Sequence, residues 1–529
     1  MRPIADVFCN CKSLHSDRYR LIQFSSEPLF LRHFSTTGFA PLLAAFAAGL
    51  LTNLAFEPFG FFIAAFFTLA LLFRLWDGVS AGRAAWLGFL FGIGFYGVGV
   101  NWIYISVHDF GFASPILAGT TVILLAAIMS LFTAISGYLQ TKFYTSLIWR
   151  YLALIPALWT LAEWTRGWLF TGFPWLYVGY SQTDTWLAGW APLTSVLGVS
   201  LTVCILAGVI SLLSHKIRLI PLGIAALILL VGFVGSRTDW TDKSFKPIDV
   251  VVVQGDVSVI EKWDRKNAVR LLDYFVTESR AVTDADLIIW PEIALSYPDT
   301  HLEKIGLWNT LGQHPADFLV GTLEEEVELE TTRYYNSAYG ISEDDLQKYR
   351  KTRLVPFGEY TPFRRWLDWL NELVSLPASD MTSYEPPQQP LLLASQLAGV
   401  SICYEDAFPG DIIKMLPTAT YLVNISEDAW FGNRLAPHQR LQMSKMRAIE
   451  TARPVVRAAN KGISASIDHR GQVIDQLEQS EGKVLKTTIV PTSGTTPFVS
   501  FGFVPLLILC VVLIGLTIIL NRNPESQSD

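Results

Sequence analysis

The sequence predicts a bundle of eight membrane-spanning helices with an α/β domain inserted before the last helix. Three observations carry that expectation. Of 529 residues, 51% are hydrophobic and only 16% charged, against about 25% charged in a typical soluble chain. The apolar residues crowd into 39–235 and 499–520, whereas 240–495 has an ordinary mix. Within that mixed stretch, short β-branched runs alternate with helix-like stretches, the pattern of a layered α/β domain.

A span needs about 20 mostly apolar residues to cross a hydrocarbon core of ~30 Å. The segments 39–56, 58–74, 85–106, 115–139, 146–165, 192–213, 218–235 and 499–520 qualify or nearly qualify. The first two are short and are separated only by Glu57-Pro58. Basic residues orient the bundle. With the N-terminus inside, the inner segments hold Arg2, Lys12, Arg18, Arg20, Arg32, Arg74, Arg83, Lys142, Arg150, Lys216, Arg218 and Arg522, while the short outer loops hold Arg166 and little else. That is a positive-inside pattern. The expected organisation is an inner tail (1–38), a membrane domain of seven spans (39–235), an outer domain (236–498), an eighth span (499–520) and an inner tail (521–529). Residues 1–38 lack an apolar core followed by a small-residue cleavage site, so a cleaved signal is not expected. The net charge of −7 argues against nucleic acid as a partner.

In the outer domain the runs "IDVVVVQGDV" (248–257), "ADLIIWPEIAL" (285–295), "DFLVGTL" (317–323), "GVSICYEDAF" (399–408) and "TYLVNISEDAW" (420–430) read as strands. The early ones are near-continuous and apolar, as expected for strands buried on both faces. "KGISASIDHRGQVID" (461–475) reads as a hairpin around His469-Arg470-Gly471. Helices are expected from near Asp264, with Val269, Leu271, Leu272 and Phe275 on one face, and over 438–452, with Leu441, Met443, Met446 and Ile449. Polar residues gather where the strands stop: Gln254-Gly255, Pro291-Glu292, Cys403, and Asn424 with Ser426. Ligands of α/β sheets lie outside such strand ends.

Cys9 and Cys11 fall in the inner tail, Cys204 and Cys510 in spans, and Cys403 alone in the outer domain. A disulfide within that domain is therefore not expected. Cys9-Asn10-Cys11 has no neighbours that would complete a metal-ligand set, and neither metal nor cofactor is expected. A thiol of ordinary pKa is only a few per cent thiolate at neutral pH and needs a base or a cation to act as a nucleophile. Glu292 is a candidate base, because its apolar surroundings are expected to raise its pKa toward a useful value. Lys351 or one of its arginine neighbours in "YRKTRLVPFGEYTPF" (349–363) is a candidate cation for a developing oxyanion. The backbone N–H of Tyr404 is a candidate second donor.

"WPE" at 290–292, "RKTRLVPFGEY" at 350–360 and "ICYE" at 402–405 resemble the three signatures of the nitrilase superfamily, with its Glu-Lys-Cys triad. More narrowly, the whole chain resembles the apolipoprotein N-acyltransferases of bacterial inner membranes. The wider resemblance rests on "NWIYISVHDFG" (101–111), "EWTRGWLFTGFPWLYVGYSQ" (163–182), "VVQGDV" with Trp263 downstream, "NISEDAWFG" (424–432) and "PHQRLQMSKMRAIETARPVVRAANKGISA" (437–465). It implies a nitrilase-like αββα sandwich, periplasmic, on an eight-helix multi-pass body in the inner membrane. It implies Glu292 as general base, Lys351 as oxyanion lysine, Cys403 as nucleophile, and Glu359, Tyr404 and Glu405 as supporting residues. Trp263 matches a tryptophan associated with substrate engagement. The chain departs from the family's pattern at Glu427, where Asn is common, and at Lys461, where Thr or Asn is common.

The reaction so implied is a ping-pong acyl transfer, from a phospholipid donor through a Cys403 thioester to the N-terminal amine of a diacylated apolipoprotein. A monomer is expected. Trp430 and Phe431 are expected to form part of an apolar mouth, and Arg166 or Lys262 to meet a lipid phosphate. Two other readings stand beside this one: a membrane-tethered nitrilase-type amidase, and a transporter or scaffold that only binds. A small polar amide needs no bilayer. A transporter would be expected to carry ionisable residues deep within its spans, whereas Glu57, Asp109, Glu163 and Arg166 lie near expected span ends.

Overall fold

The computed structural model describes residues 38–143, 146–213, 219–328, 331–343, 345–367, 380–477 and 483–521. Cys9, Cys11, Lys216, Arg218 and nearly all of the two expected tails lie outside the described residues.

Every apolar segment forms helix: Ala40–Thr52, Ile63–Leu75, Ala81–Gly99, Pro115–Lys142, Ile155–Arg166, Ala191–Leu212, Leu219–Arg237 and Val504–Asn521. Among the described residues three helices are long and apolar enough to cross a membrane: Pro115–Lys142, Trp186–Leu212 and Leu219–Arg237. Ala81–Gly99 with Ile103–Phe110, bent by 62°, makes a fourth if the pair is one span. Ala40–Ala55, Ile63–Leu75 and Val504–Leu520 are apolar but shorter. Small residues bring these helices close. A Cβ on Gly88 would lie 2.5 Å from the Thr133 carbonyl oxygen, so this crossing is set by backbone-to-backbone approach, as in membrane bundles. Ile123, Leu124, Ile128, Leu131 and Ile135 are exposed along Pro115–Lys142, which is an apolar face too large for water.

The strands of the inserted domain are β1 (Ile248–Val253), β2 (Leu287–Trp290), β3 (Asp317–Glu328), β4 (Thr331–Ile341), β5 (Leu346–Arg350), β6 (Leu391–Leu393), β7 (Gln396–Ile402), β8 (Tyr421–Ser426), β9 (Val455–Ala459), β10 (Ser464–Ile467), β11 (Val473–Leu477) and β12 (Val484–Ile489). They form two six-stranded sheets, ordered β12-β1-β2-β3-β4-β5 and β11-β10-β9-β8-β7-β6. β1, β2 and β3 run parallel, as do β7, β8 and β9.

Side chains alternate across a strand, and both faces are buried here. Val250, Val252, Leu287 and Ile289 point inward and pack with Val400, Ile402, Val423 and Val456 of the facing sheet. Val251, Val253, Ile288 and Trp290 point outward, under Leu271 and Phe275 of the Arg265–Arg280 helix. On the far side, Leu422, Val455 and Ala465 pack with Ala448 of the Ala436–Thr451 helix. The layers are therefore helix, sheet, sheet, helix. A short ladder, Thr241–Asp242 against Ser493–Gly494, joins the two ends of the domain beside the helices it interrupts.

The Ala436–Thr451 helix also docks on the helical body. Its Met443 and Met446 belong to the same buried cluster as the body's aromatic core. The Gln439 Oε1 accepts from Trp175 Nε1 at 2.6 Å, and the buried Glu450 carboxylate accepts from the Val196 N–H at 2.6 Å.

Gly321 of β3 sits where the chain leaving β2 turns. A Cβ there would lie 2.3 Å from the Pro291 carbonyl oxygen and 2.8 Å from Glu292 Cα. Backbone cannot yield as a flexible side chain would. Gly321→Ala is expected to cost about 1–3 kcal/mol, the range for overpacking, read as a lower unfolding midpoint in detergent.

Candidate active site

The parallel strands point their carboxyl ends the same way, and each delivers a polar residue there. Glu292 follows β2, Cys403 follows β7, Glu427 follows β8 and Asn460 follows β9. The expectation for Asn424 and Ser426 needs one adjustment: β8 runs on through Ser426, so both lie within the strand.

Glu292, Lys351 and Glu359 meet in the interior. Lys351 Nζ donates to Glu292 Oε1 at 3.0 Å and to Glu359 Oε1 at 2.8 Å. Asn336, on β4, repeats that bridge: its Nδ2 donates to the same two oxygens at 2.6 and 2.9 Å. Glu292 Oε2 accepts from the Glu427 N–H at 2.8 Å, and Glu359 Oε2 from the Val355 N–H at 2.8 Å.

This arrangement corrects the expectation for Glu292. Burial does push its pKa up, but the Lys351 charge and the donors Asn336, Lys351 and Cys403 outweigh burial and hold it below the ordinary value. The Lys351 pKa moves the other way. Burial lowers it, yet Glu292, Glu359 and Cys403 raise it above the ordinary lysine range. The pair is thus ionised throughout neutral pH.

Cys403 opens a tight turn, Cys403–Ala407, with φ of 52°. A non-glycine residue held there costs about 1–3 kcal/mol and persists only where its surroundings enforce it. Here they do. The Cys403 carbonyl accepts from Arg440 Nη2 at 2.6 Å and Asn424 Nδ2 at 3.1 Å. Glu405 braces the turn on both sides: Oε2 accepts from the Ile402 N–H at 2.7 Å and the Tyr349 hydroxyl at 3.0 Å. Its Oε1 accepts from the Thr352 and Arg353 N–H groups at 2.6 and 3.1 Å. That carboxylate ties the cysteine turn to the segment that carries Lys351. Burial, reinforced by Glu292, pushes the thiol pKa up to about 11, against the pull of Arg440 and Lys351. At rest the sulfur carries its proton and Glu292 does not.

The other expected residues take different places. The Tyr404 hydroxyl donates to the Gly172 carbonyl at 3.1 Å, across the junction with the helical body. Phe431 meets Trp102 edge to face, centroids 4.7 Å apart, and Trp430 meets Phe110 at 5.2 Å. Trp263 ends a one-turn helix and is 46% exposed. Arg166 and Lys262 are corrections. Arg166 is buried between Tyr96 and Tyr177, and its Nη1 donates to the Phe173 and Trp175 carbonyls. Lys262 is buried against Glu427, Nζ to Oε2 2.5 Å, and also donates to the Glu292 carbonyl at 3.3 Å. Neither charge faces outward to a phosphate. The two departures do not pair with each other: Glu427 takes Lys262 and Asn460, while Lys461 lies 4.0 Å from Asp256.

Sequence reasoning missed Asn336, Arg440, Asp406 and Asp428. Arg440 Nη1 donates to Cys403 Sγ at 3.1 Å and to Asp428 Oδ1 at 3.1 Å, and Nη2 to Asp406 Oδ1 at 3.1 Å. The available signal was the polar face of the 438–452 helix, which carries Arg440, Ser444 and Arg447 at helical spacing.

Residues 48–209 match the family described as apolipoprotein N-acyltransferase N-terminal domain, and residues 250–496 match carbon-nitrogen hydrolase. The chain is 39% identical over 475 residues to the apolipoprotein N-acyltransferase of Nitrosomonas europaea, covering 88% of this chain and 94% of that one. It is 37% identical over 493 residues to that of Methylococcus capsulatus, covering 92% and 97%. The protein of the same name in Photobacterium profundum is 32% identical over 501 residues, covering 92% and 96%. With a carboxylate–lysine–cysteine cluster in a carbon-nitrogen hydrolase domain and relatives alike over nearly their whole length, the chain belongs to the apolipoprotein N-acyltransferase family.

Proposed function

We propose that this chain moves an acyl group from a phospholipid to the α-amino group of a diacylated apolipoprotein, by way of a thioester on Cys403. The observation that carries the reading is the convergence of Glu292, Lys351 and Glu359 on the Cys403 turn, at a junction where Tyr404 and Phe431 touch the helical body. Both substrates carry acyl chains, and each buried CH₂ contributes about 0.8 kcal/mol to membrane retention. A site that abuts apolar helices meets them where they reside. We read the apolar segments as eight spans, with the inserted domain on the periplasmic side of an inner membrane and the enzyme as a monomer.

Glu292, already ionised, takes the thiol proton as Cys403 Sγ attacks the ester carbonyl. Lys351 holds the tetrahedral oxyanion, and the proton passes on to the departing lysophospholipid oxygen. The lipoprotein amine, with a pKa of about 7.7–8.0, then attacks the thioester. The C–S bond breaks, the amide forms, and the amine proton returns through Glu292 to the sulfur.

Intact-protein mass after incubation with phospholipid tests the scheme. An acyl mass on Cys403 that a lipopeptide amine discharges is expected, and Cys403→Ala should gain none. Discharge by water alone would favour an amidase-like hydrolase, and no adduct would favour a binder. Lys351→Met is expected to slow adduct formation by about 10²–10³-fold, the usual loss of an oxyanion donor. It should also lower the unfolding midpoint, because Glu292 and Glu359 then lie buried without their cation.

The pH dependence follows from the two shifts. Glu292 is held below its ordinary value by Lys351 and its hydrogen-bond donors despite burial, and the thiol is pushed up to about 11, so the base–acid pair keeps its working protonation across neutral pH. Single-turnover acylation is expected to be flat from about pH 6 to 9, falling as acid protonates Glu292. A rate climbing about tenfold per pH unit across that range would show that free thiolate, rather than Glu292, drives attack.

A further inference from the structure

We infer that Arg440 is a further catalytic residue, whose guanidinium holds the charge on the Cys403 sulfur in both half-reactions. The inference rests on Cys403 being the nucleophile. Arg440 is buried, and its Nη1 donates to Cys403 Sγ at 3.1 Å while Nη2 donates to the Cys403 carbonyl at 2.6 Å. It touches the reacting atom and fixes the positive-φ backbone that presents it.

The surroundings keep the guanidinium in place. Asp428 Oδ1 and Asp406 Oδ1 accept from its two terminal nitrogens at 3.1 Å each. Arg457 binds the remaining oxygens of the same two aspartates, at 2.5 Å to Asp428 Oδ2 and 3.3 Å to Asp406 Oδ2. Two arginines and two aspartates thus balance, and Asp428 is held ionised by Arg457 and Arg440 against its burial. The charges that act on the sulfur are those of Glu292, Arg440, Lys351 and Asp428. Lys351 is already shared by two carboxylates, and Arg440 is the cation with a hydrogen bond directly on sulfur.

The bond gains strength when it is needed. Neutral sulfur is a weak acceptor, whereas a hydrogen bond to an ionised group is roughly twice as strong as a neutral one. As Glu292 removes the Sγ proton, negative charge builds on sulfur and the Arg440 N–H meets it. The new C–S bond consumes that charge. In the second half-reaction the C–S bond breaks, the electron pair returns to sulfur, and Arg440 meets it again until Glu292 hands back the amine's proton. An interaction stronger in the transition state than in either ground state is one that accelerates the step.

The test is the alkylation rate of Cys403 by iodoacetamide in the full-length detergent-solubilised protein, at fixed pH between about 8 and 9, read by peptide mass with Cys204 and Cys510 as internal references. Arg440→Gln is expected to alkylate about tenfold more slowly, one pKa unit of lost thiolate. A purely structural arginine predicts the opposite, because a loosened site admits reagent faster. If the glutamine variant does not fold, Arg440→Lys decides: one ammonium cannot serve both the sulfur and the two aspartates, so its rate should also fall. Rates equal to or above wild type in a folded variant overturn the proposal for Arg440 alone. Wild-type protein that gains no acyl mass from phospholipid overturns the nucleophile reading instead.

Discussion

One buried ammonium organises the interior. Lys351 is shared by Glu292 and Glu359, and Asn336 donates to the same two oxygens. Two carboxylates so close would repel without a cation between them. The lysine charge, with Asn336 and the thiol, holds Glu292 below its ordinary value against its burial. Glu292 is left with its second oxygen facing the Glu427 N–H and with the thiol among its partners. The cation arrives from β5's end, Glu292 from the end of β2 and Glu359 from a turn beyond β5, so three separate pieces of chain are locked by one charge.

A second carboxylate does similar work for the Cys403 turn. Glu405 gathers N–H groups from both sides of the gap between the Cys403 turn and the Thr352–Arg353 segment. The cysteine's left-handed backbone is thereby enforced by hydrogen bonds rather than by packing alone. The residues just after it reach outward: Tyr404 to Gly172, and Phe408 into the apolar cluster of the helical body. The Cys403 turn is thus part of the seam between domain and helices, and geometry at the sulfur is coupled to how the domain sits.

Much of this was legible in residue order. Strands buried on both faces write themselves as apolar runs, which is why β1, β2, β3, β7 and β8 stand out in the sequence. β4 and β5 do not: "TTRYYNSAYGI" and "LQKYR" mix polar and aromatic residues because they lie toward a sheet edge. Asn336 was hidden with them. Arg440 was hidden for another reason, since the apolar face of its helix reads clearly while its polar face turns inward to the sulfur. The Glu292 environment was misjudged because its neighbours in sequence are apolar whereas its neighbours in space are Lys351 and Asn336. The span count was the least legible feature. Apolar composition marked every helix, but Ala40–Thr52 and Ile63–Leu75 are 13 residues each, shorter than the ~20 a straight crossing needs.

The pairing of β12 with β1, which sets Ile248 opposite Ile489, bears on the order in which the chain is made. The first sheet lacks this edge strand until nearly the whole domain has been synthesised, so loop closure over a long stretch precedes its reward. The final helix, Val504–Asn521, begins soon after β12 ends at Ile489, with the Ser493–Gly494 strand and the Pro497–Phe501 turn of helix between them. Completion of the domain and emergence of the last apolar helix from the ribosome therefore fall close together, and a ribosome pausing before residue 484 would leave β1 with an unpaired edge.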